Sequence, residues 1–213
     1  MFSMRAKPLP EIRLLRTLNL PGLLLLGCCL FAGMARAETA ATQKAIFAGG
    51  CFWCVESLYQ ETPGVTAAVS GFTGGTLKNP TYNGNHTGHY EAVEVSYDPA
   101  LISYQQLLDL YWLNIDPFDD RGQFCDKGPS YRSAIFVANA EERTLAEASK
   151  QAVAKRFPDQ AVVTEILPVN TFYLVEAAHQ DYYAKNPLRY RFYRSGCGRD
   201  NRLEQIWGDD ARH

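Results

Sequence analysis

Two cysteines stand three positions apart in Gly49-Gly50-Cys51-Phe52-Trp53-Cys54-Val55-Glu56, the spacing at which thiols do redox or metal chemistry. A structural bridge is a weak explanation for this pair, because a disulfide closing so short a loop restrains little chain entropy. Cys51 is the candidate nucleophile. Ala45 to Ala48 is apolar at every position, as expected for a strand covered on both faces. Behind the thiols, Val55, Leu58 and Tyr59 recur at helical spacing. Cys51 therefore belongs at a strand-to-helix junction, where unpaired amides and the helix dipole favour a thiolate and lower the thiol pKa. Phe52 and Trp53 make the surface between the thiols bulky and apolar, suited to holding an apolar group against the sulfur.

Glu91 is the candidate acid. The run Glu91-Ala92-Val93-Glu94-Val95-Ser96-Tyr97 alternates as a half-buried strand does. Glu91 shares the parity of Val93, Val95 and Tyr97, so it points to the apolar side while Glu94 faces water. A carboxyl at the edge of a core keeps its proton to higher pH. It can then donate that proton near neutrality.

The remaining elements read as follows. Val65 to Thr73 is a strand after the Pro63-Gly64 turn, and residues 74–90 form a long surface loop in which His86 and His89 are expected to be solvated. Ser103 with Gln106 caps an amphipathic helix, residues 114–130 make a second loop, and Arg132 to Ala138 is a strand. Asn139 with Glu142 starts a helix that Pro158 ends, Val162 to Leu167 is a strand, and helices are expected over 175–185 and 200–206. This order mixes hairpins with crossovers. It implies an α+β fold, a mixed sheet with helices packed on it and a ferredoxin-like core.

A basic region with Arg5, Lys7, Arg13 and Arg16, the apolar run Leu18 to Met34 and Ala35-Arg36-Ala37 have the layout of a secretory signal over residues 1–37. A retained membrane anchor is the alternative, and Leu25-Leu26-Gly27-Cys28 loosely resembles a lipidation site. With cleavage near Ala37, residues 38–213 form a single catalytic domain in a periplasmic or otherwise exported protein. That part holds 22 acidic against 16 basic residues, a balance that excludes nucleic acid as a partner. Its four cysteines are Cys51, Cys54, Cys125 and Cys197, and an oxidising compartment admits a structural bridge between the last two. The cysteines and histidines show no paired metal-ligand spacing, so no metal is expected. A periplasmic thioredoxin-like thiol-disulfide oxidoreductase is the alternative to a thiol-dependent reductase of another group.

Gly50-Cys51-Phe52-Trp53-Cys54-Val55-Glu56 resembles the signature of peptide methionine sulfoxide reductases of the A class. The likeness continues in order through Gly71-Phe72-Thr73-Gly74-Gly75, Asn79-Pro80-Thr81-Tyr82, Gly88-His89-Tyr90-Glu91, Asp126 with Tyr131-Arg132-Ser133, and His179-Gln180-Asp181-Tyr182. The resemblance implies that Cys51 attacks the sulfoxide sulfur while Glu91 protonates the leaving oxygen, aided by the Tyr82 and Tyr131 hydroxyls. It further implies that Phe52 and Trp53 hold the substrate methyl, that Asp126 positions the peptide, and that the S epimer is preferred. The product on Cys51 is a sulfenic acid, which a second thiol resolves. Cys54 is the expected resolving thiol, Cys197 is the competitor, a relay through both is open, and Cys125 has no role. No cofactor is implied. The partners are oxidised protein substrates and a thioredoxin or thioredoxin-like dithiol donor, and the enzyme is expected to act as a monomer.

Overall fold

The computed structural model describes residues 41–211. The expected secretory signal over residues 1–37, its expected cleavage near Ala37 and Cys28 lie outside the described residues. Strand β1 (Gln43–Gly49) is central because both its faces are apolar: Ala45 and Phe47 enter the larger core, Ile46 and Ala48 a smaller one on the opposite face. Helix α1 (Phe52–Gln60) follows, then the antiparallel pair β2 (Val65–Thr73) and β3 (Tyr90–Tyr97). Helix α2 (Tyr104–Trp112) comes next, followed by a small hairpin of β4 (Gly122–Gln123) and β5 (Asp126–Lys127), and by β6 (Ser133–Val137). Helix α3 (Ala140–Arg156) leads to β7 (Glu165–Pro168) and β8 (Tyr173–Leu174). The six-stranded sheet has the order β7-β6-β1-β3-β2-β8, antiparallel throughout except for β6 with β7.

Its inner four strands with α1 and α2 reproduce the βαββαβ arrangement of a ferredoxin-like core. Phe52, Val55 and Tyr59 of α1 and Leu107, Leu108 and Tyr111 of α2 are buried in the larger core, which Phe47, Val93 and Val95 enter from the sheet. The parity of β3 is as expected: Glu91 is 1% exposed, on the helix-covered face of the sheet with Val93 and Val95.

Both expected helix starts carry their caps. The Ser103 side chain accepts from the Gln106 backbone N–H while the Gln106 side chain accepts from the Ser103 N–H, and Asn139 accepts from the Glu142 N–H. Ser103→Ala is expected to cost about 1 kcal/mol by removing one partner of this reciprocal cap. Chemical denaturation checks it, and the midpoint should fall with an unchanged slope.

Four expectations need correction. The helix proposed for 175–185 is reduced to one turn, α4 (Tyr182–Lys185). Before it the chain is captured by side chains: Gln180 accepts from the Ser70 N–H at 2.9 Å and donates to the Ser70 carbonyl at 2.7 Å, and Asp181 sits at φ 54°. The strand expected from Val162 begins at Glu165, and the loop over 114–130 contains the β4–β5 hairpin. His89 is buried rather than solvated, held between the Gly75 N–H at 3.2 Å and the Leu77 carbonyl at 2.8 Å. His86 stacks on Phe72 with ring centroids 5.0 Å apart.

Two elements had no sequence expectation. Edge strand β8 approaches β2 at Gly71, where an added Cβ would lie 2.4 Å from the Tyr173 carbonyl oxygen. Helix α5 (Pro187–Gly196) starts at a proline, carries the chain to Cys197 and is followed by α6 (Arg199–Trp207), close to the terminal helix expected over 200–206.

Candidate active site

Cys51 occupies the N-cap of α1, immediately after the last residues of β1. The turn between them needs glycine: Gly50 has φ 84°, and an added Cβ would stand 2.6 Å from Cβ of Gln123. Gln123 is itself fixed, accepting from the Asp116 N–H at 2.8 Å and donating to the Asp116 carbonyl at 2.7 Å. The hairpin that carries Asp126 is thereby packed against the cysteine turn.

The β1–β3 register pairs Phe47 with Val93, and two further residues along each strand bring Glu91 level with Gly49. One Glu91 oxygen accepts from the Phe52 N–H at 3.1 Å, and the other has no hydrogen-bond partner. The expected acid and the expected nucleophile therefore meet at the same helix start. Burial raises the Glu91 carboxyl to about 8. The Phe52 N–H works against that rise, the charges of Asp126 and Cys54 add to it, and the nearby Tyr131 hydroxyl opposes it. Glu91 is thus a protonated acid at neutral pH.

The thiols differ from the expectation. Cys51 is 5% exposed and Cys54 2%, both free. Burial pushes the Cys51 thiol well up, and its hydrogen bond with Cys54 and the charges of Cys54 and Glu91 push the same way. Cys54 is pulled down to about 6, first by the hydrogen bond from Cys51 and then, against its own burial, by Arg199 and Arg194. The helix start fails to lower Cys51 because the sulfur is buried, and desolvation of the thiolate outweighs what a helix N-terminus supplies. Of this buried pair, the thiolate favoured in the substrate-free protein is Cys54, on the side of the arginines.

Tyr82 joins the site from a loop and Tyr131 from the end of a single 3-10 turn, Pro129–Tyr131. Each has its phenol pKa raised by burial first and by the charge of Glu91 next, with Cys51 and Asp126 adding to both. Tyr82 stacks on Phe52 and on Trp53, both at 5.9 Å. Phe52 has no exposed surface and serves as backing for this wall, while Trp53 is half-buried at its front. Asp126 is partly buried, which raises its carboxyl, and it accepts a hydrogen bond from the Tyr193 hydroxyl at 2.5 Å.

All the expected residues around Cys51 are thus brought together, and the C-terminal segment adds others that sequence reasoning missed. Tyr182 stacks on Trp53 at 3.8 Å, His179 stacks on Trp53 at 5.7 Å and packs on Tyr82 at 3.9 Å, and Tyr193 meets Trp53 edge-on at 5.7 Å. Arg199, 2% exposed, donates to the Asn114 carbonyl at 2.7 Å and to the Gly49 carbonyl at 3.4 Å. The available signal for His179 and Tyr182 was their place in a matching motif; nothing pointed to Tyr193 or Arg199. Cys125 and Cys197 are disulfide-bonded, tying the end of α5 to the residue before Asp126. This is the structural pairing admitted by the sequence. Cys125, Asp126 and Cys197 also present potential ligand atoms close together, but two of the three are sulfurs already joined to each other.

A buried thiol pair beside a protonated carboxyl, walled by aromatic rings, is a site suited to thiol redox chemistry with an acid at hand. The family model described as peptide methionine sulfoxide reductase matches residues 43–211. The chain is 55% identical over 170 residues to the peptide methionine sulfoxide reductase MsrA 2 of Caulobacter vibrioides, covering 78% of this chain and 86% of that protein. It is 48% identical over 171 residues to the enzyme MsrA of Halalkalibacterium halodurans, covering 78% and 97%. Among solved structures it is similar to methionine sulfoxide reductase A of Corynebacterium diphtheriae, with TM-score 0.62, 35% identity and coverage of 69% and 76%. The chain belongs to the A class of the peptide methionine sulfoxide reductase family. Its chemistry is that of the family, the thiol-dependent reduction of methionine sulfoxide.

Proposed function

We propose that the protein reduces the S epimer of methionine sulfoxide in oxidised exported proteins, with Cys51 as nucleophile, Glu91 as acid and Cys54 as first resolving thiol. The observation that carries this reading is the hydrogen bond from the Phe52 N–H to the Glu91 carboxyl, which sets the acid beside Cys51. Trp53 and Tyr82, backed by Phe52, face the methyl group, and the Tyr82 and Tyr131 hydroxyls hydrogen-bond the sulfoxide oxygen without adding charge. Asp126 receives the peptide.

In the first step the Cys51 sulfur bonds the sulfoxide sulfur. Its proton passes to the Cys54 thiolate and the Glu91 proton passes to the oxygen. Oxygen then moves to Cys51, releasing methionine and leaving Cys51 as a sulfenic acid, so that the sulfur of the substrate is reduced by two electrons and Cys51 is oxidised by two. The Cys54 thiol next displaces that oxygen as water, forming a Cys51–Cys54 disulfide, and an external dithiol of the thioredoxin type restores both thiols. Engagement of Cys197 with Cys125 supports Cys54 over Cys197 as the first partner. Export rests on the basic and apolar N-terminal segment, and a secreted product beginning at Glu38 would support it. The monomeric state follows the same reading of a small single-domain enzyme.

Separated sulfoxide epimers with dithiothreitol as reductant test the activity. Reduction of the S form alone is expected, and equal reduction of both would contradict the assignment. Without dithiothreitol, Cys54→Ser is expected to release one methionine per enzyme and then stop, more slowly than wild type because the thiolate that takes the Cys51 proton is gone, read by product quantification. Repeated turnover in that variant with a Cys51–Cys197 bridge on peptide mapping would make Cys197 the resolving thiol.

A further inference from the structure

The reaction above leaves Glu56 unused, although it is fully buried two residues beyond Cys54 on α1. Its Oε2 accepts from the Asp181 backbone N–H at 3.1 Å. A buried carboxyl is a costly group to keep only to satisfy one amide, so the position of that amide matters. Asp181 has φ 54°, in the left-handed region, and it separates Gln180 from Tyr182. Its side chain is held by Gln60 at 2.9 Å, and Gln60 in turn accepts from the Tyr183 hydroxyl at 2.9 Å. The segment thus pinned to α1 is the one whose His179 and Tyr182 rings close over Trp53.

We infer that Glu56 is a positioning residue for substrate binding: by fixing Asp181 in its left-handed turn, it holds Tyr182 and His179 against Trp53 and so keeps the aromatic wall of the sulfoxide site closed. Two details agree with this role. Ser70 faces the buried Glu56 carboxyl and opposes the rise of its pKa, and Gln180 bonds the backbone N–H and carbonyl of that same Ser70. Glu56 and Gln180 therefore clamp one loop from two sides. Burial also raises the Glu56 carboxyl to about 7, with the charge of Asp181 adding to the rise and its backbone N–H opposing it. A neutral amide in place of the acid should consequently preserve the hold.

The inference rests on Trp53 facing the substrate, and its test separates the two. Glu56→Leu fills the same space without an acceptor. It is expected to raise KM for a small methionine sulfoxide substrate up to about tenfold, the range of a lost aromatic contact, with the single-turnover rate at saturation within about twofold of wild type. Glu56→Gln is expected to restore KM, because its carbonyl oxygen accepts from Asp181 and its amide donates towards Ser70. Tyr182→Leu should raise KM as well, and the double variant Glu56→Leu/Tyr182→Leu should show little further rise, since both act on one contact. Multiplicative effects, or a Glu56→Leu loss confined to the single-turnover rate, would overturn the inference. Should Glu56→Leu fail to fold, Glu56→Met, more adaptable in a core, takes its place in the same cycle. Unchanged KM at Glu56 with a raised KM in Trp53→Ala removes this inference and keeps the proposed site; unchanged KM in Trp53→Ala removes both.

Discussion

Cys51→Ser is expected to abolish methionine sulfoxide reduction, a loss on the order of 10⁴-fold or more, as removal of a nucleophile produces elsewhere. A serine hydroxyl at this position would be neutral and a poor nucleophile towards sulfur, and no sulfenic acid could form on it. Cys54 cannot substitute. The charges that lower it are those of Arg199 and Arg194, whereas the Glu91, Tyr82, Tyr131 and Tyr193 side chains surround Cys51. Moving the attack three residues along α1 would separate the sulfur from the acid and from the phenols. Methionine formation in single turnover, measured on the purified variant, should stay at background while Cys54 still reacts with an alkylating reagent. Product at the wild-type rate would transfer the nucleophile to another thiol.

Glu91→Gln is expected to slow the reduction step by about 10²–10⁴-fold, the usual contribution of a general acid. The glutamine side chain can still accept the Phe52 N–H, so the local geometry survives. What it lacks is a proton of useful acidity, and a sulfoxide oxygen leaves poorly without one. The same variant should react with a simple disulfide at a rate within about threefold of wild type, because exchange between thiols needs no acid at this place. Equal slowing of both reactions would indicate a damaged thiol pair rather than a missing acid. That comparison also separates this enzyme from a thioredoxin-like exchanger.

The parts of the site that lie on regular elements were legible from residue pattern alone. Glu91 was placed by the parity of β3, and Cys51 by an apolar run ending in two glycines before helical spacing began. Tyr82, Tyr131 and Asp126 sit on a loop, a single 3-10 turn and a two-residue strand, none with a hydrophobic period, and only resemblance pointed to them. The C-terminal contribution was hidden for a different reason. Its path from Val175 to Asp181 is set by Gln180 and Asp181 bonding residues more than a hundred positions earlier, which no local propensity records. In α5 the signal is misleading: Leu188 and Phe192 are spaced like a core stripe but are 73% and 85% exposed, while Tyr193 turns towards Cys51. The expected low pKa of Cys51 failed because the sulfur is buried, and the Cys54 hydrogen bond and the charges of Cys54 and Glu91 act in the same direction.

In the proposed mechanism the protonation state of Glu91 links structure to rate. Its folded pKa, about 8, lies above that of an exposed carboxyl, so the acid form is complete at low pH and is lost as pH rises through 8. The most direct measurement is the single-turnover rate of methionine formation from pH 6 to 10 in wild type and Glu91→Gln, at substrate concentrations well below KM, where the profile reports the groups of the free enzyme. In wild type the rate should fall tenfold per pH unit above about 8, and in Glu91→Gln that fall should be absent. An alkaline fall at the same pH in both would place the titrating proton elsewhere and contradict the role of Glu91 as the acid.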